Sequence, residues 1–175
     1  MTIQSLWEYH GQKRPDFAIA PGPGQESVWD YPRPPRIVPD LRHIEVRSGD
    51  VLIASTVAAY RVLETASPPT FYIPVADVDL ARLVRVAGAS VCEWKGLAGY
   101  WALAGDKSLR AVGWSYEKPL LEFAMLADSL SFYPALLECT VDGERVRPQP
   151  GGFYGGWITD EIVGPVKGGP HTSHW

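Results

Sequence analysis

Proline and glycine set the tightest limit on what this chain can fold into. It carries 16 Pro and 17 Gly in 175 residues, well above the roughly 12% of an average chain, and they are scattered along its whole length as turn punctuation. Proline lacks an amide donor and drives the residue before it toward extended geometry. A chain interrupted this often reads as many short strands. The proline-rich stretches APGPGQ and DYPRPPRIVP predict an extended N-terminal arm over residues 1–41, followed by a β-rich core over 42–147 and a Gly/Pro/aromatic tail over 148–175, one structural domain in all.

Local patterns fill in the core. HIEV and VLIAS flank Ser48-Gly49-Asp50 and predict a hairpin. Asp142-Gly143 in TVDGERV marks a second tight turn, because both central residues tolerate positive φ. FYIP, SVCEW, GYWAL, LRAVGW, SLSFYP and LLECTV read as further strands, while Val57 to Glu64 fits helix and strand periodicity equally. Asp77, followed by Val78, Leu80, Leu83, Val84 and Val86, predicts a helix of about ten residues. PLLEFAMLAD predicts a second short helix opened by Pro119. The class expected is mainly β (α+β), antiparallel, with one or two short helices. Phe153, Tyr154, Trp157, Ile158, Ile162 and Trp175 predict a tail that packs, since each apolar side chain gains about 1.5–3 kcal/mol on burial.

Charge and cysteine content narrow the function. A net charge of −4 argues against a nucleic-acid surface; Arg33, Arg36, Arg42 and Arg47 are interleaved with Asp40, Glu45 and Asp50 and read as a mixed solvated surface. Two isolated cysteines, Cys92 and Cys139, suggest a reducing compartment. With no leader-like or membrane-length apolar run, the expectation is a soluble cytoplasmic protein.

Several runs carry a family resemblance: ESVWDYPRPPR, VLET followed by YIP, CEWKGLAGYW, WSYEKP, FYP and the closing GGFYGGWITDEIVGPVKGGP. From about Gly24 onward the chain resembles the bacterial domain-of-unknown-function family 427. That resemblance implies a β-tent-like fold and brings with it an old nucleotidyltransferase label. The end GPHTSHW departs from the family's GPGTWGW-like run, with His171 and His174 as the replacements.

The residues do not support the label. Asp77-Val78-Asp79 has the spacing of a carboxylate pair for magnesium, but no Gly-Ser precedes it and helix capping explains it better. β-tent relatives join hairpins through paired CxxC zinc ligands, and Cys92 and Cys139 have no such neighbours; no metal and no cofactor are expected. GPVKGGP lacks P-loop spacing, which leaves Lys167 a tie-down role, and GxSxG is absent.

The segment VCEWKGLAGYW holds the remaining chemistry. As a continuous strand it would send Cys92 and Lys95 to opposite faces. As a turn over Cys92 to Lys95, closed by left-handed Gly96, it brings their α-carbons within about 7 Å. An ammonium beside a thiol favours the thiolate, whereas desolvation by Trp94 or Trp101 favours a neutral amine. Glu64 ends an apolar run before ASPP, where a carboxylate can face a pocket. Tyr72, Trp101, Trp114 and Tyr116 offer flat walls for a planar or sugar-like metabolite, and Arg33 an anion contact. Each of these also fits plain core packing or surface pairing. The leading expectation is a small-molecule-binding domain, with Glu64, Cys92 and Lys95 as the catalytic candidates should it be an enzyme. The alternative is a non-catalytic interaction or assembly module that uses the proline-rich arm and the aromatic tail, the latter allowing a homodimer. Membrane partners are not expected.

Overall fold

The computed structural model describes residues 7–175. A seven-stranded antiparallel sheet runs in the order Arg36–Asp40, Ala59–Leu63, Thr70–Pro74, Ser129–Phe132, Ala111–Ser115, Gly96–Leu103 and Leu83–Cys92. A four-stranded sheet, ordered Glu144–Arg145, Glu138–Val141, Ile44–Ser48 and Val51–Thr56, packs on one of its faces. Two short pairs, Glu26–Ser27 with Ile162–Val163 and Arg147–Pro148 with Trp157–Ile158, tie the arm to the tail and the tail to the core. The fold is mainly β.

Local turn chemistry is where the sequence predicts it. Ser48 pairs with Val51 across Gly49-Asp50, and Val141 with Glu144 across Asp142 and Gly143, both at positive φ. Cys92 pairs with Gly96, whose φ of 96° is open to glycine and strained for other residues. The ambiguous run resolves as strand Ala59–Leu63.

Two expectations are corrected. No helix starts at Asp77: 3-10 turns at Val75–Asp77 and Leu80–Arg82 lead straight into strand Leu83–Cys92. Asp79 caps the second turn by accepting from the Ala81 amide, while Asp77 accepts from the Thr56 hydroxyl at 2.6 Å. The helical spacing fails because Leu83, Val84, Arg85 and Val86 find a full ladder of partners in Leu103 to Tyr100, and the β-branched valines suit that surface. The second predicted helix is 3-10 geometry at Leu121–Leu126, kinked at Phe123.

Alternation along the large sheet divides the aromatic side chains between two compartments. Phe71, Ile73, Leu130 and Phe132 face the four-stranded sheet and meet Ile44, Val46, Ile53, Cys139 and Val141 in the main core. Trp157, fully buried, stacks on Phe71 with centroids 4.8 Å apart and donates its indole N–H to the Phe132 carbonyl at 3.0 Å. The tail therefore packs, with two departures: Phe153 is 69% exposed and Tyr154 39%. Tyr9, Phe17, Trp29 and Trp175 form a separate cluster joining arm and tail, edge-to-face except where Phe17 stacks on Trp175. Among the described residues no helix is long and apolar enough to cross a membrane.

Candidate functional site

The other face of the seven-stranded sheet carries a second, aromatic cluster around Tyr72, Trp114, Tyr116 and Phe123. Tyr60 opposes Tyr72 and Tyr100 opposes Trp114 in register, so one pleated face lines up rings from four strands. The tail crosses over this face. Between the two lies a cavity of about 210 Å³.

Of the residues singled out from sequence, Glu64, Tyr72, Cys92, Lys95, Trp114 and Tyr116 all line this cavity. They come from four separate segments, which alternation and register bring to one place. The turn after Cys92 supplies the thiol and the amine together. The thiol is half-buried and free, and Lys95 is 9% exposed.

Trp101 and Arg33 stand elsewhere. Trp101 follows Tyr100 and so points to the opposite face, where its indole donates to the Ser115 hydroxyl at 2.9 Å and the Arg85 guanidinium lies 4.2 Å over its ring. Arg33 is buried behind the cavity wall. Its guanidinium donates to the Tyr9 and Thr65 carbonyls, each at 2.8 Å, and to the Glu64 carboxylate at 3.3 Å. Its role here is to hold Glu64, whose side chain is 21% exposed, at the edge of the cavity.

Electrostatics differ between the two lysines of the site. Burial by itself would push the Lys95 ammonium down, but the electronegative surroundings of Tyr72, Cys92 and Glu64, with a hydrogen bond to Cys92, hold it above the usual lysine range. Lys167 is only 2% exposed, and burial, reinforced by Arg33, brings it down to about 8. Its ammonium donates to the Trp175 carbonyl at 2.9 Å and sits 3.6 Å over the Trp7 ring. The buried phenols move upward: burial raises Tyr72, Tyr116 and Tyr133, the last to about 12. They stay protonated in neutral water and serve as hydrogen-bonding walls. Trp114 donates to the Tyr72 hydroxyl at 3.3 Å.

Sequence reasoning overlooked Tyr100, Tyr133 and the tail's contribution, and gave Trp94 only a desolvating role. Gln149, Tyr154, Gly155 and Lys167 all reach the wall. The Gln149 side chain knits the crossing, donating to the Lys167 carbonyl at 2.8 Å and accepting from the Gly156 amide at 3.0 Å. A Cβ at Gly155 would overlap the Trp114 ring, which is a spatial reason for glycine that no local pattern announces. Among the described residues no three His, Cys, Asp or Glu side chains gather as metal ligands would.

The comparison with curated proteins gives no match. Residues 36–147, the stretch that supplies both main sheets and the Cys92 to Lys95 turn, match the family model described as "Domain of unknown function (DUF427)". That stretch exceeds half of the chain, and the chain belongs to this family.

Proposed function

We propose that this chain is a small-molecule-binding domain whose ligand enters the aromatic cavity between the seven-stranded sheet and the tail. The observation that carries the reading is the convergence of a buried amine, a thiol and a carboxylate on one ring-lined hollow. An engineered apolar cavity of about 150 Å³ admits benzene. A hollow of about 210 Å³ matches a single planar ring bearing a small substituent. Tyr72, Trp114 and Tyr116 form the walls, and Lys95, Cys92 and Glu64 are the polar contacts.

Should chemistry occur, Cys92 is the nucleophile, Lys95 the proton donor and Glu64 the base, because these groups share one water-poor space. Alkylation with iodoacetamide at neutral pH tests this role: Cys92 should modify in the folded protein, and modification should be blocked by a cavity ligand. A Cys92 that stays inert while the protein remains folded removes it as nucleophile.

The interaction-module reading has less support. The run DYPRPPR is folded into its own domain, with Tyr31, Arg33 and Pro35 buried, so an adaptor would have to unfold it to grip it. Assembly through the tail would use the exposed Phe153, a residue that also borders the cavity. Truncation at Gly151 that converted a dimer to a monomer in light scattering would favour assembly; a monomer before and after truncation would set it aside.

A further inference from the structure

The cavity reading leaves open what charge its ligand carries, and the polar groups on the wall answer that. Lys95 is more than nine-tenths buried, yet among the described residues no carboxylate stands within 4.0 Å of its ammonium. Glu64, a carboxylate on the same wall, is taken by Arg33 at 3.3 Å. Lys167 is likewise occupied, by the Trp175 carbonyl and the Trp7 ring. The neighbouring phenols are neutral and offer Lys95 dipoles, Cys92 offers a hydrogen bond, and the Tyr116 ring lies 5.9 Å from the ammonium; none of these is a carboxylate. A buried ammonium held mainly by dipoles gains from an anionic partner.

A second group points the same way. The Trp94 indole N–H, in the same turn as Lys95 and on the same wall, is buried and has no hydrogen-bond acceptor among the described residues. Indole is a donor only, and an ammonium is three donors. Both groups that this turn brings to the wall are donors, and Lys95 carries a full positive charge with Cys92 as its hydrogen-bond partner. Glu93, half-buried on the wall, is the remaining acid there.

We propose that the ligand is a monoanion, a single-ring planar carboxylate whose oxygens accept from Lys95 Nζ and the Trp94 indole N–H while its ring lies among Tyr72, Trp114 and Tyr116. One free ammonium matches a carboxylate better than a doubly charged phosphate ester, which commonly draws on backbone amides or an arginine fork; the arginine here is committed to Glu64 and two carbonyls. This inference rests on the cavity being the ligand site.

The test titrates the full chain at pH 7 with three probes of one shape: benzoate, benzamide and benzylamine. Binding is read from the indole N–H resonances of Trp94 and Trp114 in a nitrogen-correlated NMR spectrum. Benzoate should shift both signals and bind at least tenfold more tightly than benzamide, with benzylamine weakest. Lys95→Met should abolish the preference for benzoate over benzamide, and Lys95→Arg, which keeps the charge, should retain part of it and guard against a folding artefact. Benzamide or benzylamine matching benzoate overturns the anion assignment and leaves the cavity a ligand site. Silence from all three probes up to their solubility removes both readings.

Discussion

The two faces of the seven-stranded sheet are built by the same strands and differ in what their side chains do. On one face Phe71, Ile73, Leu130 and Phe132 meet a second sheet and close completely around Trp157. On the other, Tyr72, Tyr100 and Trp114 meet the 3-10 segment at Phe123 and Leu126, the tail and the turn at Lys95, and a hollow remains. Rings with polar tips collect on the open face, where hydroxyl and indole groups pair with one another, as Tyr100 does with Ser90 at 2.7 Å. The closed face stabilises; the open face spends some of that stability on keeping a lysine and several polar groups out of water.

Substitutions on the two faces should therefore separate. The largest effect is expected for Trp157→Ala, which empties the packed face and leaves the Phe132 carbonyl without its donor; unfolding in urea should show a loss of about 3–5 kcal/mol, with little change in which ring compounds bind. Gly155→Ala, which drives a methyl group into Trp114, should cost about 1–3 kcal/mol and also weaken any cavity ligand. If it leaves both untouched, the tail does not form the roof. Trp101→Phe, on the closed face, should lose about 1 kcal/mol with its hydrogen bond to Ser115 and leave cavity binding unchanged; a loss of binding would break the division of the two faces.

Lys167 gives the subtlest readout. Its folded value of about 8 lies below the 10.5 of an unfolded lysine, so between these values the unfolded chain holds a proton that the folded chain has released. Stability should rise with pH through that window and level off above it. The buried tyrosines oppose this trend above pH 10, because their raised values favour the unfolded chain as it ionises. The difference between wild type and Lys167→Met, followed by urea denaturation from pH 7 to pH 10, isolates the lysine. A flat difference would mean that its amine is not buried as a cation beside Arg33.

The sequence made the turns legible and much of the site with them. Asp142-Gly143, Gly49-Asp50 and the reversal closed by Gly96 all follow from backbone conformations that few residues adopt, and such information is local. For that reason the Cys92 to Lys95 turn brings the thiol and the amine to one cavity wall. The helix predicted from Asp77 failed because periodicity over a few apolar residues is weak beside a ladder of strand partners far along the chain. Trp101 was grouped with Trp114 by residue type alone; the strand's two-residue period, once register is known, sends it to the other compartment and brings Tyr100 in.

What the sequence determined by itself is a β-rich chain punctuated by tight turns, its family, and a thiol and an amine held close by one glycine. The tertiary structure decided which rings share a wall, that Arg33 secures Glu64 instead of facing a ligand, and that Lys167 arrives from the tail. Turn preferences depend on a residue and its immediate neighbours. The sides of a cavity depend on strand register and on where a distant segment crosses, and these are set only when the whole chain packs.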